Sequence, residues 1–314
     1  MENRGLVLTP ATSICEGTFF SQERFVQAVV QAETANVRAL KLQAPNSPVH
    51  LFCLERVHRL NRRSVSLAPF GFYASPIDAH GSYDYIPALV AQLKTFRTIA
   101  FDWNVRFDHG DLADRLEQCG LKRHEDSTQV LYLDRAYDAV FKGFSQTTRN
   151  KIRRAERKGV VVRRSTESCD VMTYYKLYRK LAGQRANWRT IYSESLFSAL
   201  VSLTDDVIFL LTEIDKRVVS GGWFFRDGNS VIYWQGALDY EYKDYFPHYA
   251  VINHAIRLAC QERMKSFNMG ASLGITSLEQ FKSFWGTRKV PCWWFVWQNP
   301  IWTSISKIRK AIPW

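Results

Sequence analysis

The sequence predicts an α/β protein built from two similar units followed by a short tail. Segments with apolar residues at helical spacing alternate with segments of period two along most of the 314 residues. That length suffices for two packed cores at ~100–200 residues each. Charge also divides the chain: residues 1–140 carry 15 basic and 16 acidic side chains, whereas 141–314 carry 27 and 14, so all of the +12 net charge lies in the second half. The expected division is therefore a first unit over 1–140, a second over 141–300 and a tail over 301–314.

In the first unit Phe25, Ala28, Val29 and Ala32 recur at helical spacing and predict a helix over 21–33, followed by strands over 37–42 and 49–55. A turn-rich loop over 68–76 leads to a helix over 82–97. A strand over 98–103, a helix over 111–118 stopped by Gly120, and a strand over 129–133 complete the unit.

The second unit opens on one helix over 137–159, with Ile152, Ala155 and Gly159 as a thin buried stripe. Residues 149–164 hold eight Arg or Lys and one Glu. After a strand over 160–164 and helices over 169–185 and 193–203, three segments (206–213, 217–225, 229–238) alternate with period two, and Asp227-Gly228-Asn229 supplies a hairpin turn. A long helix over 248–264, a strand over 265–269, a helix capped by Ser277 with Gln280 at its third position, and a strand over 290–297 follow.

Several chemistries are excluded by pattern. The longest apolar runs, 207–211 and 292–297, are far shorter than the ~20 residues that span a bilayer. The first ten residues lack the apolar core of a secretory signal, and the six cysteines include no CxxC pair, so the expected compartment is the cytoplasm, with neither a disulfide framework nor a zinc site. Residues 270–274 match G-x-S-x-G, but a hydrolase triad of that type needs Asp or Glu and then His after the serine. The last Asp is Asp244 and the last His is His254. His248 and His254 are six apart, on different faces of a helix, and no phosphate-binding glycine loop occurs.

The order of hairpin, long helix, short strand, loop and helix over 206–297 resembles the GNAT fold of acyltransferases. Such enzymes usually bind the pyrophosphate of acyl-CoA on a glycine turn before the long helix, where backbone N–H groups meet the anion. No glycine occurs from 237 to 269 in this chain. Over its whole length the sequence resembles the FemABX family, aminoacyl-tRNA-dependent transferases of two GNAT-like domains, each a mixed, largely antiparallel sheet flanked by helices. Three blocks carry the likeness: Pro69-Phe70-Gly71-Phe72-Tyr73; the basic helix over 148–159; and Phe267-Asn268-Met269-Gly270-Ala271-Ser272 followed by Leu278-Glu279-Gln280-Phe281-Lys282-Ser283-Phe284-Trp285-Gly286. The chain has Trp285-Gly286 where Phe-Gly is commoner, and it lacks the long helical arm of some members.

The resemblance implies transfer of an aminoacyl group from a charged tRNA to the amine of a peptide, muropeptide or related cell-wall or natural-product precursor. The donor ester is already activated, and neither metal nor cofactor is implied. Lys282 would place a cation beside the oxyanion or the terminal tRNA phosphate; otherwise it is a surface lysine. Asp239, Glu241 and Asp244 lie where an acceptor amine would arrive, with Asp239 and Asp244 the candidate proton acceptors beside a substrate-assisted route. Phe281, Tyr73 and Tyr249 are candidate substrate contacts. Arg149, Arg153 and Arg157 fall on one helix face, with Lys151, Arg154 and Lys158 on the adjoining one, forming a tRNA-phosphate surface ~12 Å long or, alternatively, a solvated face. The enzyme alternative is a GNAT-like N-acyltransferase using acyl-CoA or an acyl-carrier thioester, and the third class is an inactive anion- or membrane-binding scaffold. In the tail, Trp302, Ile305, Ile308 and Ile312 at helical spacing beside Lys307, Arg309 and Lys310 suit peripheral contact with the inner membrane face. Packing of the tail on the first unit is the other reading.

Overall fold

The computed structural model describes residues 19–33, 36–44, 50–67, 69–74, 82–183, 192–272 and 274–304. It is a mixed α/β structure with one largely antiparallel sheet. In the first half, α1 (Glu23–Ala32) precedes β1 (Val37–Gln43), β2 (His50–Val57) and β3 (Arg63–Ser66). Next come α2 (Ile86–Leu93), β4 (Thr98–Val105), α3 (Gly110–Gln118) and β5 (Lys122–Tyr132). The second half runs α4 (Tyr137–Lys142), α5 (Gln146–Arg157), β6 (Val161–Arg164), α6 (Ser168–Gly183), α7 (Glu194–Val201), β7 (Val207–Ile214), β8 (Arg217–Asp227) and β9 (Ser230–Leu238). It ends on α8 (Pro247–Gln261), β10 (Ser266–Ala271), α9 (Thr276–Ser283) and β11 (Arg288–Gln298).

The strand order is β1-β2-β3-β4-β11-β5-β10-β9-β8-β7-β6. Two neighbouring pairs are parallel, β3 with β4 and β9 with β10, and each pair is joined through a crossover helix, α2 or α8. The halves therefore repeat one plan. They also exchange strands: β4 is followed in the sheet by β11 from the end of the chain, and β10 by β5 from the first half. The strand expected at the end of the second unit thus lies inside the first, and the two sheets are one.

Packing follows from the faces this sheet presents. Helices α2 and α3 bury Leu89, Leu93, Leu112 and Leu116 against Trp103, Phe101 and Phe295. Helix α8 places Val251, Ile252, Ala255, Ile256 and Ala259 against Phe224 and Phe267. On the opposite face α1, α6 and α7 close an aromatic core in which Phe20 stacks on Phe72 at 4.1 Å and both meet Phe225. Aromatic pairs of this kind add ~0.5–1.5 kcal/mol to their area burial and here join the halves. A buried ion pair reinforces the joint, because Arg106 Nη1 donates to Asp227 Oδ2 at 2.9 Å while Phe19 N donates to Asp227 Oδ1 at 2.9 Å.

Several elements differ from expectation. The helix over 137–159 is two, broken at Gly143-Phe144-Ser145, where Ser145 Oγ accepts from Thr148 N and starts α5 while Phe144 turns in against Trp285. Gly159 lies beyond that helix with φ +74°, and Thr148 joins Ile152 and Ala155 on the buried stripe. The helix over 82–97 narrows to α2. Strand β3 and the polar half of β5 were not legible. Helix α9 starts at Thr276 with Ile275 at the cap position, so Ser277 does not cap it. Trp302 donates its indole N–H to Phe96 O at 2.8 Å and lies under Arg62, which sets the start of the tail on the first half. Residues 305–314 lie outside the described residues.

Candidate functional site

The sheet opens between β9 and β10. They pair in parallel at Ser230, Val231 and Ile232 with Ser266, Phe267 and Asn268, and then part. Each strand is irregular at that point: β9 bulges at Trp234 between Tyr233 and Gln235, and β10 shifts register between Asn268 and Ala271. Bulges re-aim side chains and end pairing, which is how a sheet makes a cleft.

Parting strands leave backbone polar groups without ladder partners, and buried ones must be satisfied. On the β10 lip Asn268 Oδ1 accepts from Gly270 N at 2.8 Å and from Thr128 Oγ1 at 2.6 Å, and Asn268 Nδ2 donates to Tyr73 Oη at 3.4 Å. Lys282 Nζ donates to Gly270 O at 2.8 Å and Ala271 O at 2.7 Å. Lys282 is only 3% exposed, and burial pushes its ammonium down to about 8 although Asp126 and Glu279 oppose the shift. Burial likewise pushes the Tyr73 phenol up to about 12. Lys282 is therefore no surface lysine; two of its three N–H groups hold the end of β10. Ser272, the serine of the G-x-S-x-G match, is buried and donates to Gln129 Oε1 at 3.1 Å.

On the β9 lip Tyr233 Oη lies 2.9 Å from His248 Nε2, and His248 Nδ1 lies 3.5 Å from Ser220 Oγ. Ser220 Oγ donates to Ala237 O at 2.7 Å. Gly236 makes room for the pair, since a Cβ there would overlap both the Tyr233 hydroxyl and the His248 ring. In the sequence His248 stands out only as a possible metal ligand, and Tyr233 not at all. The available signal was a tyrosine in an alternating strand followed by a histidine at the second position of the next long helix.

The start of α8 bears on anion binding. A 3₁₀ turn over Tyr240–Tyr245 leads into Phe246, which is left-handed at φ +58°. Pro247 has no N–H, and the Tyr249 and Ala250 N–H groups donate to Phe246 O at 3.0 and 3.3 Å. The basic helix α5 lies alongside. Lys151 Nζ donates to Tyr249 Oη at 3.0 Å, Arg154 lies 4.9 Å from the Phe246 ring centre, and Lys158 lies 4.5 Å from that of Tyr245 while donating to Asp244 O at 3.0 Å. Such cation–π seating holds long side chains in place while their charge remains on the surface. Arg153 and Arg157 are exposed, Arg153 beside Phe141. Arg149 differs: its guanidinium donates to Lys142 O at 2.8 Å and to Phe144 O, closing the end of α4.

The structure thus brings Lys151, Tyr249 and Phe281 together, with Tyr249 edge-on to Phe281 at 5.6 Å and stacked on Trp285. Lys282 and Tyr73 lie on the β10 lip around Asn268. Asp239 is elsewhere engaged: it is 3% exposed, pairs with Lys180 at 3.0 Å and Arg217 at 3.4 Å, and caps the 3₁₀ turn through Glu241 N. Asp244 and Glu241 are exposed, and Glu241 pairs with Lys180. Among the described residues no group of His, Cys, Asp or Glu is arranged to hold a metal ion, and no helix is long and apolar enough to cross a membrane.

Residues 142–283, which contain α5, both lips and α9, match the family model described as an acetyltransferase (GNAT) domain. A solved structure of FemX superposes with a TM-score of 0.72 at 17% identity, covering 93% of this chain and 96% of FemX. The chain has a FemX-like fold. The FemX-like architecture also matches the structure of L-PGS from Bacillus licheniformis (TM-score 0.57, 11% identity, 96% of this chain and 98% of that one). A tandem GNAT protein from the clavulanic acid biosynthesis pathway is similar at TM-score 0.51 and 9% identity, covering 87% of each chain. No curated protein matches the FemX-like chain in sequence.

Proposed function

We propose that this FemX-like protein is an acyltransferase that moves an aminoacyl group from an aminoacyl-tRNA to an amine of a peptide or cell-wall precursor, forming an amide. The observation that carries the reading is the junction of α5 and α8. At the helix start where a GNAT enzyme holds the pyrophosphate of acyl-CoA, Pro247 offers no N–H and those of Tyr249 and Ala250 are taken by Phe246 O. Beside it stands a row of cations on aromatic seats. Side-chain cations spread along a helix suit a polyphosphate backbone better than one pyrophosphate.

The chemistry required is modest because the donor ester is activated. The site orients amine and ester, takes a proton and stabilises the oxyanion. In this reading Lys151, Arg153, Arg154, Arg157 and Lys158 contact tRNA phosphates, while Tyr249 and Phe281 line the approach to the opening. Lys282 maintains the β10 lip and carries its charge to the cleft. Activity would then reside at the cytoplasmic side of a membrane if the precursor is lipid-linked. The deciding experiment supplies labelled aminoacyl-tRNA and labelled acyl-CoA in parallel with a lysine-containing peptide. Amide formation from the tRNA donor supports the reading, and formation from acyl-CoA alone replaces it with the N-acyltransferase.

A further inference from the structure

We propose that Tyr233 is the catalytic residue that takes the proton from the attacking amine, with His248 as the positioning residue behind it. The inference deepens the transferase reading and rests on it. It is carried by the hydrogen-bond chain on the β9 lip, whose direction can be worked out link by link. Ser220 Oγ–H donates to Ala237 O at 2.7 Å, so toward His248 this hydroxyl can only accept. His248 Nδ1, 3.5 Å away, therefore carries the ring proton, and Nε2 is the acceptor. The Tyr233 phenol, 2.9 Å from Nε2, donates its proton there, which leaves Oη itself the acceptor.

A phenol so arranged is a base by relay. As the amine nitrogen bonds to the ester carbonyl carbon, its proton passes to Tyr233 Oη while the phenol proton passes to His248 Nε2. When the tetrahedral intermediate collapses, the bond from carbon to the ribose oxygen of the tRNA breaks and the imidazolium proton returns through Oη to that oxygen. One C–N bond forms, one C–O bond breaks, and a proton moves from nitrogen to oxygen with no net change in the enzyme. The placement favours this role over the carboxylates expected from the sequence. Tyr233 is the first β9 residue past the last parallel pair and is set by the bulge at Trp234, whereas Asp239 is held by two cations and Asp244 is exposed. Gly236 is required because any larger residue would fill the space the pair occupies.

The test compares the native protein with Tyr233→Phe, His248→Gln and Gly236→Ala, each shown to be folded by circular dichroism, using both labelled donors and a lysine-containing peptide. Expected for Tyr233→Phe is a fall in kcat of ~10²-fold or more with KM for the tRNA donor within about twofold, as for loss of a general base. His248→Gln removes the acid limb of the pH–rate profile, and Gly236→Ala lowers kcat with both side chains still present. Nitrogen NMR of the native imidazole should show the proton on Nδ1. Near-native kcat and an unchanged acid limb in the folded variants overturn the proposal, as does a ring proton on Nε2. If acyl-CoA is the donor used and the variants fall as described, the relay stands and the tRNA reading fails. No amide formation from either donor refutes both.

Discussion

Lys282→Met probes the β10 lip through stability as well as turnover. The native ammonium is almost wholly buried, and its affinity for the proton drops from the ordinary 10.5 to about 8. At ~1.4 kcal/mol per tenfold change, holding that charge costs the folded state about 3 kcal/mol at neutral pH. The folded value lies below the unfolded one, so between about 8 and 10.5 the unfolded chain keeps a proton that the native protein has released. Native stability therefore rises with pH across that window. Met has similar length and no titration. It also leaves the Gly270 and Ala271 carbonyls without their donor, at ~1–3 kcal/mol each, a loss that persists at every pH because a neutral amine still donates. Urea unfolding of both proteins at matched pH should show the stability difference moving in favour of the native protein by roughly 2 kcal/mol from about pH 7 to about pH 10. A difference that stays flat or moves the other way would refute the buried-ammonium reasoning. Under the proposed function the same variant should also lose turnover by ~10²-fold, the scale of one lost oxyanion donor.

Arg106→Met should destabilise by ~3–5 kcal/mol in urea or thermal unfolding, because it strands the fully buried Asp227 carboxyl. Burial pushes that carboxyl up to about 6 despite Arg106, so the native state holds its proton longer than the unfolded chain does. Stability should fall as pH rises from about 4 to about 6, and Asp227→Asn should reduce that slope without removing it, because burial also pushes the Asp102 carboxyl up to about 6. Under the proposed function, the native protein should bind tRNA in filter binding with a salt slope of ~0.9 per duplex phosphate contacted, and reversing Arg153, Arg154 and Arg157 to Glu should remove that affinity. Arg149→Glu should instead lower the unfolding temperature, because its guanidinium closes α4. Ser145→Ala should lose ~1 kcal/mol through the cap of α5, and an unchanged unfolding midpoint would argue against that cap.

The sequence by itself determined the class of fold, most elements and the basic helix, since these depend on neighbours three or four residues away. A stretch with Arg or Lys at six of the ten positions 149–158 and a single acid, Glu156, reads the same in any tertiary setting. It did not reveal the break before Ser145, because the helical pattern continues across it and only burial of Phe144 against Trp285 favours the turn. Nor did it reveal β3 or residues 122–127 of β5, whose few buried side chains carry little pattern; β5 there is held by its ladder with β11. Lys282 was legible as a motif, but its burial depends on two carbonyls from another element. Asp239 looked like a base until Lys180 and Arg217, distant in sequence, closed on it. What only the tertiary structure decided is the opening itself. β11 enters between β4 and β5, β5 takes its place beside β10, and β9 parts from β10 where both are irregular. Those pairings join residues up to about two hundred positions apart. A strand's local pattern states which face is buried but never which strand lies beside it, so the relay of Tyr233, His248 and Ser220 exists only once the chain has folded.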